Sequence, residues 1–558
     1  MEEEKRIFGI DLGTTYSCIA TIDEYGKPLV LKNSIGVNIT PSVVFYESKE
    51  KVIVGETAKS ALDSSRRVSF IKREIGNDNF VSKCIYPEDP VIVSSYILKK
   101  LVQDANKANK STKDPIKDVV ITCPAYFGTK EKMQTQQAGE IAGLNVLAIL
   151  QEPTAAAIAY GLDVKKDSNI LVYDLGGGTF DVTIINVSKS KIRTIATGGD
   201  SRLGGVDWDK EIVKYLANQY ENETGESNIL SNPETEINLY LLAETVKKRL
   251  TDLDSYKTTV NHNGRLISVE LTKEVFESIT SNLLNRTISI MQGVIDEAKE
   301  KRDKEGNVLF NGVFDEVLLV GGSSRMPMVK IAVDNTLKCD AQELDPDEVV
   351  AKGAAMFAMF RKEYEIYKEE EVKLTDDEKE KRGGRIDSEK NNTLGGTDIV
   401  NVVSYSYGIG SVKWEDENKR IISTMVFKQD DLPTKVCQIF KTAADKQTSM
   451  KIDVYECSAT KEDKIKDNDG KEEFEYYGIP MDQGEFLNTA TLNFGKPLPK
   501  SSPVEVTMNI DSQGMMDVTA IEKETGQHIN IHFQLKGVRS KEEVAQAAVK
   551  VSRVDVES

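Results

Sequence analysis

The sequence has few of the residues that build metal cages and disulfide frameworks. Its 558 residues include six cysteines, without a C-x-x-C pair, and three histidines. Because a structural zinc site needs about four such ligands, usually with two of them close in sequence, we expect no zinc site. We interpret the cysteines as reduced thiols of a cytoplasmic protein. The residues concerned are Cys18, Cys84, Cys123, Cys339, Cys437, Cys457, His262, His528 and His532.

Long apolar runs are also missing. No stretch approaches the roughly 18 apolar residues of a membrane-spanning helix. The first residues, Met1-Glu-Glu-Glu-Lys-Arg6, are too acidic for the start of a secretory signal. We therefore expect a soluble, cytoplasmic protein without a membrane partner.

Basic residues are outnumbered by acidic ones. The chain has 72 Lys and Arg against 90 Asp and Glu, which gives a formal net charge of −18. Because phosphate backbones are bound by concentrated Lys and Arg, we expect no nucleic-acid partner. The length exceeds the roughly 250–300 residues of one compact core, so the sequence predicts two or three domains.

Residues 1–360 alternate apolar, strand-like runs with longer helical patterns, which indicates an α/β domain. Within them, Asp11-Leu-Gly-Thr-Thr15 recurs in outline as Asp174-Leu-Gly-Gly-Gly-Thr179, each time between two apolar runs. Each copy predicts a β-hairpin with a glycine-rich turn. The repetition predicts a duplicated fold with one site between its halves.

The remaining sequence changes character twice. Residues 361–403 begin with a densely charged stretch and predict a charged helix extension and an interdomain linker, with a docking tail for a partner as the alternative. Residues 404–535 contain short alternating runs separated by turn residues, which predict an antiparallel β-sandwich. Residues 536–558 predict a short helix, since Ser540 is a plausible N-cap with Glu543 three residues later.

The glycine-rich turns carry the chemistry. The sequence contains neither a G-x-x-x-x-G-K-[ST] loop nor a G-x-G-x-x-G turn after a strand, so P-loop and dinucleotide sites are not supported. Glycine lets backbone N–H groups approach phosphate oxygens, and Gly13–Thr15 and Gly176–Thr179 can each grip part of a polyphosphate. Asp11 and Asp174 at the strand ends would hold Mg²⁺, through its waters. A third such turn is Gly321–Arg325.

Several segments resemble the signatures of the seventy-kilodalton heat-shock chaperones of the DnaK type. The three main ones are Asp11-Leu-Gly-Thr-Thr-Tyr-Ser17, Tyr173-Asp-Leu-Gly-Gly-Gly-Thr-Phe-Asp-Val182 and Leu318-Leu-Val-Gly-Gly-Ser-Ser-Arg-Met-Pro327. Shorter matches are Glu152–Ala157, Gly199–Asp207 and Pro346–Val350. The resemblance covers nearly the whole chain. It implies an actin-like duplicated ATPase domain at 1–360 and a peptide-holding β-sandwich at 404–535.

The resemblance also implies roles for individual residues of an ATP and Mg²⁺ site. Those that act on the γ-phosphate, its attacking water and the metal are Lys72, Glu152, Asp174, Thr179 and Asp181. Those of the phosphate loops are Gly13, Thr14, Thr15, Tyr16, Gly176, Gly177 and Gly178. Those around the rest of the nucleotide are Gly204, Gly205, Glu244, Lys247, Lys248, Thr251, Gly321, Gly322, Ser323, Arg325 and Asp347. From the residues alone, Lys72 is an ordinary surface lysine and the helical face at 244–251 is merely salt-bridged.

In the sandwich, the resemblance implies a site for extended peptides. Met450 would line its central pocket beside Phe440, and Val412 and Ala443 would arch over the peptide backbone. Such a site combines main-chain hydrogen bonds with one apolar pocket, so it does not demand a strict sequence. Met450 as a plain core residue is the alternative.

Four features depart from the family's pattern. Asn401 stands where the linker of the family has an aspartate, and Lys132, downstream of the switch proline matched by Pro124, replaces an arginine. The family's long helical lid is reduced to a truncated lid at 536–558, which predicts either quick peptide exchange or a partner that supplies the cover. A charged loop at 461–475 has no role that the sequence reveals.

The function that the resemblance implies is an ATP-dependent molecular chaperone that couples peptide binding to slow ATP hydrolysis. Its expected partners are unfolded clients, a J-domain co-chaperone and a nucleotide-exchange factor, and a monomer is expected. Two alternatives use the same duplicated fold: a small-molecule kinase and an actin-type assembly ATPase. The sandwich argues against the kinase, and the net charge of −18 argues against self-assembly.

Overall fold

The computed structural model describes residues 7–108, 116–161, 167–188, 191–303, 305–343, 345–372, 393–394, 397–413, 416–468, 473–523, 526, 528–531 and 537–558. They belong to two units. Unit 1 spans Met1–Tyr126, Gln134–Asp398 and Lys541–Ser558, and unit 2 spans Phe127–Met133 and Ile399–Ser540. Of the segment predicted as charged helix extension and linker, 361–403, residues 373–392 and 395–396 lie outside the described residues.

In chain order, the strands of the described residues are β1 (Phe8–Asp11), β2 (Tyr16–Ile22), β3 (Pro28–Val30), β4 (Ile39–Pro41), β5 (Val44–Ser48), β6 (Lys51–Val54), β7 (Arg67–Val68), β8 (Asp118–Cys123), β9 (Asn145–Gln151), β10 (Ser168–Leu175), β11 (Phe180–Val187), β12 (Lys191–Asp200), β13 (Ser255–His262), β14 (Arg265–Thr272), β15 (Glu316–Val320), β16 (Gln342–Glu343), β17 (Thr393–Leu394), β18 (Thr397–Val400), β19 (Ser406–Lys413), β20 (Asp416–Val426), β21 (Thr434–Lys441), β22 (Gln447–Cys457), β23 (Lys464–Asn468), β24 (Glu473–Pro480), β25 (Gly484–Leu498), β26 (Pro503–Ile510), β27 (Met516–Glu522), β28 (His528–Ile531) and β29 (Asp555–Glu557).

The α-helices begin and end at local signals in the sequence. Asn232 caps α6, since its side chain accepts a hydrogen bond from the Thr235 N–H at 3.0 Å, and Gly225 ends α5 in a left-handed conformation. The helices are α1 (Glu56–Ser60), α2 (Pro90–Ala108), α3 (Thr129–Ile141), α4 (Glu152–Gly161), α5 (Gly205–Thr224), α6 (Pro233–Leu250), α7 (Lys273–Glu300), α8 (Pro327–Leu337), α9 (Val349–Val372) and α10 (Lys541–Arg553).

Two sheets of unit 1 share one topology. The first has the order β3-β2-β1-β8-β9, with β4 beside β2, and the second has the order β12-β11-β10-β15-β16 and continues past β12 with β18 and β17. In each sheet the leading hairpin is antiparallel, and the next two strands run parallel to its first strand. The structure therefore contains the two hairpins and the repeated topology that the sequence predicts.

Small residues let α9 lie directly on the first sheet and on α4. A Cβ added to Gly9 in β1 would lie 2.1 Å from the backbone nitrogen of Ala355. A Cβ added to Gly353 in α9 would lie 1.8 Å from the carbonyl oxygen of Ala155. Both distances are far below van der Waals contact, so only glycine fits at these positions.

The second sheet packs on α5, α6 and α7. Trp208 is fully buried between them, and the Tyr173 hydroxyl donates a hydrogen bond to Thr287 Oγ1 at 2.6 Å. The rings of Tyr173 and Phe180 also pack edge to face, with their centroids 4.7 Å apart. Because Tyr173 and Phe180 lie on either side of Asp174 and the second glycine-rich turn, this core fixes the position of that turn.

The C-terminal residues lie in unit 1. The structure places α10 beside α2 and pairs β29 with β6. β29 is thereby the first strand of a sheet with the order β29-β6-β5-β7. Val551, Val554 and Val556 are buried there. In the described part of the predicted truncated lid at 536–558, a helix is followed by a strand, and both belong to unit 1.

Unit 2 contains the strands of an antiparallel β-sandwich. Its sheets have the orders β23-β24-β20-β19-β22-β25 and β21-β26-β27-β28. Alternate residues of β26, from Val504 to Ile510, point into a common apolar core with Ile409, Ile452 and Val518. The strand pattern that predicts a sandwich is present over the described residues.

The predicted charged loop at 461–475 is wrong for residues 464–468 and 473–475, whereas 461–463 lie outside the strands. Residues 464–468 form β23, and 473–475 begin β24. The two strands pair with each other, and β24 also pairs with β20 through Ile422 and Ile479. The run Phe474-Glu-Tyr-Tyr477 has the aromatic residues that strands favour. The high charge density of the segment concealed this pattern.

Asn401, the linker residue that departs from the family's pattern, is buried in unit 2. Its carbonyl oxygen accepts a hydrogen bond from the Leu432 N–H at 2.8 Å, and Val402 pairs with Asp431. The residue is therefore held by its backbone.

Among the helices that the structure describes, none is long and apolar enough to cross a membrane.

Two helical glycines should respond to alanine in opposite directions. Gly353→Ala should lower the free energy of unfolding by roughly 1–3 kcal/mol, because the new methyl group overlaps the Ala155 carbonyl. Gly293→Ala in α7, where a Cβ meets nothing within 4 Å, should raise it by roughly 0.5–1 kcal/mol. Urea denaturation measures both changes, and shifts of the same sign would contradict this packing.

Candidate active site

A cleft of about 510 Å³ in unit 1 brings together most of the predicted site residues. Its volume lies in the range of small-molecule sites. The predicted residues that line it are Asp11, Gly13, Thr14, Thr15, Tyr16, Lys72, Glu152, Asp174, Gly176, Gly177, Thr179, Glu244, Lys247, Lys248, Thr251, Gly321, Gly322, Ser323, Arg325 and Asp347. Four others, Gly178, Asp181, Gly204 and Gly205, lie behind this lining. The carboxylate of Asp181, for example, accepts a hydrogen bond from the Ala125 N–H at 3.1 Å.

The two glycine-rich turns approach each other closely. A Cβ added to Gly177 would lie 2.0 Å from Thr15 Oγ1, and one added to Gly178 would lie 2.2 Å from the Cγ2 of Thr14. The sequence predicts only phosphate contact for these glycines. In the structure they are also needed for the two turns to face each other across the cleft.

The second turn is held from behind by the start of α5. The N–H groups of Gly205 and Val206 donate hydrogen bonds to the carbonyls of Gly176 and Gly177, at 3.0 and 2.8 Å. The side chain of Asp207 accepts a bond from the Gly204 N–H at 2.9 Å. The helix terminus therefore fixes the turn, and Gly204 and Gly205 act through the backbone.

Arg73 also supports this turn, although it is not among the residues predicted from the sequence. Its Nε donates to the Gly178 carbonyl at 2.7 Å, and its guanidinium pairs with Asp207 at 2.6 Å. The only signal in the sequence is its position next to Lys72. Nothing in that stretch distinguishes it from a surface arginine.

Lys72 is buried at the base of the cleft. It lies in a 3₁₀ turn at Ile71–Glu74 that follows Phe70, whose φ of 60° is left-handed. Its Nζ is 2.5 Å from Glu152 Oε1, and both residues are buried. Glu152 begins α4, where the helix dipole favours a negative charge. The interpretation of Lys72 as a surface lysine is therefore wrong.

The cleft contains more carboxylates than Lys72 can neutralise. Burial, reinforced by the charge of Glu152, raises the pKa of Asp11 to about 7. Burial and the same neighbour raise the pKa of Asp174 and of Asp181 well above the usual range. Burial by itself would lower the pKa of Lys72, but Glu152 and Asp11 outweigh it and the net shift is upward. These carboxyls therefore tend to take up protons unless further positive charge is placed beside them.

A hydrated divalent cation suits this set of oxygen ligands. Asp11 and Asp174 occupy matching places at the ends of β1 and β10, and Thr122 Oγ1 donates to Asp11 at 3.2 Å. No group of three or more His, Cys, Asp or Glu side chains in the described part of the chain is arranged to hold a metal. Mg²⁺ usually keeps several waters and is bound through one or two carboxylates together with substrate phosphates.

One side of the cleft is a polar cluster around Tyr16. Its hydroxyl donates to Glu244 Oε1 at 2.6 Å, and the Nζ atoms of Lys59 and Lys248 lie 2.6 and 2.7 Å from the same carboxylate. Burial would raise the pKa of Glu244, but the two lysines lower it to about 2. Lys59 is not among the predicted residues, and it comes from the short helix α1, whose sequence carries no signal for it.

The two lysines on the predicted face of α6 point in different directions. Lys248 is largely exposed, whereas Lys247 turns inward, where its Nζ pairs with Asp209 at 2.7 Å and donates to the Gly205 carbonyl at 2.9 Å. Thr251 follows the end of the helix and lines the cleft with Glu244. The spacing i, i+3, i+4 and i+7 thus predicts that these four residues lie together at the cleft. It does not predict that Lys247 and Lys248 pair with different carboxylates.

The third glycine-rich turn also lines the cleft, beside Asp174. Gly321 has a φ of 80°, and a Cβ there would lie 2.5 Å from Asp174 Oδ1. The guanidinium of Arg325 pairs with Asp347 at 2.8 Å, and both side chains are partly exposed. Arg325 is therefore held in place with one side open to a ligand.

The predicted peptide residues of unit 2 differ in exposure. Val412 is 40% exposed and Met450 is partly buried against the core, whereas Phe440 is buried in it. The Ala443 N–H donates to the side chain of Gln447 at 3.0 Å. Phe440 thus supports the sandwich from within.

Lys132 of α3, which stands where the family has an arginine, is also buried. A Cβ added to Gly514 would lie 2.5 Å from the Nζ of Lys132.

The arrangement of unit 1 can bind a polyphosphate between two N–H-rich turns and hold a water near Lys72 and Thr179. It has no nucleophilic cysteine or serine paired with a base among these cleft residues. Hydrolysis by positioning and charge neutralisation is the chemistry that it supports.

Comparison with known proteins assigns the chain to a family. The profile of a family described as Hsp70 protein matches residues 7–86, 87–379 and 389–557. A protein from Thalassiosira pseudonana described as chaperone protein dnaK is 32% identical over 578 residues, which cover 97% of this chain and 84% of that protein. With matches over nearly its whole length, the chain belongs to the Hsp70 family and is an ATP-dependent, ATP-hydrolysing molecular chaperone.

Proposed function

We propose that ATP and ADP bind in the cleft of unit 1, with the phosphates between Gly13–Tyr16 and Gly176–Thr179. The observation that carries this proposal is the close approach of the two turns over the buried Lys72. The base and ribose then lie against Arg325 and the 244–251 face of α6. Gly321, Gly322 and Ser323 supply the backbone beside them, and Asp347 orients Arg325.

The residues at the base of the cleft carry the reaction. Lys72 neutralises charge on the γ-phosphate, and Glu152 holds the lysine in place through their 2.5 Å contact. Thr179 donates its hydroxyl to the γ-phosphate, and Asp174 orients the attacking water. Asp181, which does not line the cleft, acts through its charge on Asp174 and Lys72. Mg²⁺ held near Asp11 and Asp174 would neutralise charge on the phosphate oxygens.

The sandwich of unit 2 is proposed to bind extended apolar segments of unfolded proteins. Val412 and Ala443 contact the peptide backbone, and Met450 lines the apolar pocket over Phe440. A J-domain co-chaperone and a nucleotide-exchange factor are proposed as partners, since an acidic chain suits the basic helix of a J domain. We further propose a monomer that works in the cytoplasm.

The hydrolysis site is tested by Lys72→Ala and Thr179→Ala. Each should reduce steady-state ATP hydrolysis about 100-fold or more, because each removes a group aimed at the charge of the transition state. Nucleotide binding should persist, since the two turns and the Tyr16 cluster remain. Phosphate release and fluorescent-nucleotide titration measure the two quantities.

Lys214→Ala is the matched control, because Lys214 is an exposed lysine of α5 that pairs only with Glu211 in the described contacts. It should hydrolyse ATP at the normal rate. Normal hydrolysis by both site variants would refute the assignment. Phosphate release that requires an added acceptor hydroxyl would favour the kinase alternative.

Peptide release tests the coupling of the two activities. ATP should accelerate dissociation of a fluorescent apolar peptide relative to ADP, but only weakly, since the linker has Asn401 in place of an aspartate. Stopped-flow dissociation with each nucleotide measures the two rates. Equal rates would exclude coupling.

The peptide site itself is tested by Met450→Asp, which should weaken binding of the apolar peptide at least about tenfold by placing a charge in an apolar pocket. Ile439→Asp is the control, since Ile439 is an exposed apolar residue of β21 in the other sheet. Equal losses in both variants would show a general effect on unit 2 and would refute the location of the pocket.

A further inference from the structure

Arg67 lines the cleft of unit 1, although it is not among the residues predicted for that site from the sequence. It lies in β7, where its backbone pairs with Phe45 of β5. Ser69, two residues later, also lines the cleft. Val68, between them, is buried, as expected when alternate residues of an extended chain point to opposite sides. Arg67 and Ser69 therefore belong to one wall of the cleft.

The guanidinium of Arg67 is partly buried without a compensating anion. In the described part of the chain, its Nε atom is buried and has no hydrogen-bond partner. Burial lowers the pKa of Arg67, and no carboxylate of the described residues opposes that shift. A guanidinium that gives up water is costly unless a carboxylate, a carbonyl or a phosphate takes the place of that water. This wall thus carries a positive charge that the described residues do not neutralise.

The neighbouring arginines do have partners within the protein. Arg66 donates a hydrogen bond to the Glu47 carbonyl at 2.9 Å, and its Nε lies 3.3 Å from the carboxylate of Asp63. Arg325, the other arginine of the cleft lining, pairs with Asp347 at 2.8 Å. The guanidinium on β7 differs from both, since it has no anionic partner among the described residues.

Arg67 and Lys72 lie on the same stretch of chain. Ser69 and Phe70 continue the cleft lining after Arg67. The 3₁₀ turn that follows contains Lys72, which is buried at the base of the cleft. Five residues of chain lead from Arg67 to Lys72, and they span at most about 18 Å even when fully extended. The two cations therefore enter the cleft from the same side, one on its wall and one at its base.

We propose that Arg67 binds the terminal phosphate of ATP and thereby makes the cleft prefer ATP to ADP. The inference rests on the proposed binding of ATP in this cleft. There the glycine-rich turns hold the inner phosphates through backbone N–H groups, and the terminal phosphate lies on the side of Lys72, whose wall carries Arg67. A guanidinium can donate two hydrogen bonds to one phosphate, and such charge-assisted bonds are stronger than neutral ones. ADP lacks the phosphate that Arg67 binds.

The test compares ATP and ADP binding by the full chain and by Arg67→Met, which keeps an apolar stem and removes the charge. Competition against a fluorescent ADP analogue, read before slow hydrolysis proceeds, gives both affinities. The variant should bind ATP at least about tenfold more weakly than the unmodified chain, because a charge-assisted pair is lost. Its affinity for ADP should be unchanged.

Arg66→Met is the matched control, because Arg66 precedes Arg67 in the chain and pairs with Asp63 outside the cleft lining. It should leave both affinities unchanged. Arg67→Lys should keep part of the preference for ATP, since a cation remains but cannot form the same two-pronged contact.

Urea denaturation without nucleotide tests the fold of Arg67→Met. The variant should be at least as stable as the unmodified chain, because a desolvated charge without a partner costs free energy. Lower stability would contradict the unpaired state of this guanidinium.

An unchanged preference for ATP over ADP in Arg67→Met would overturn the proposal while leaving ATP binding in the cleft intact. Parallel loss of ATP and ADP affinity would also overturn it, since Arg67 would then contact a part that the two nucleotides share. An unmodified chain that binds neither nucleotide would refute the proposed function, and with it this role of Arg67.

Discussion

The charge balance around Lys72 is the constraint on which the active site depends. One buried ammonium group lies among Asp11, Glu152, Asp174 and Asp181, and it pairs directly with Glu152. Burial makes each carboxylate costly, and one cation cannot compensate them all. The site therefore favours additional positive charge beside Asp11 and Asp174, which a hydrated Mg²⁺ at that place would provide.

The fold makes this concentration of charge possible by bringing two equivalent hairpins together. The repeated topology places Asp11 and Asp174 at matching strand ends, and glycines allow the two turns to approach within contact of Thr14 and Thr15. Arg73 and the start of α5 then fix the second turn from behind. Loss of a glycine there would move the phosphate-binding groups before it affected any carboxylate.

The turns could be located from the sequence because glycine, threonine and aspartate in a repeated pattern have a direct chemical meaning. Lys59 and Arg73 could not, since their partners are brought close only by tertiary packing and their neighbours carry no periodic signal. Lys72 could be found only through the family resemblance. The hairpin at 464–480 and the placement of 541–558 in unit 1 escape prediction for the same reason: both are decided by pairing with strands that are distant in sequence.

The most direct test of the charge balance is the number of protons released when MgADP binds. Calorimetry at pH 7 with saturating Mg²⁺, in buffers of different ionisation enthalpy, measures this number. Asp11, with a pKa of about 7, is half protonated at that pH, and burial also favours the protonated form of Asp174 and Asp181. Binding should therefore release at least about half a proton per site, as the added cation ionises these groups. Proton uptake, or binding without proton exchange, would contradict the account.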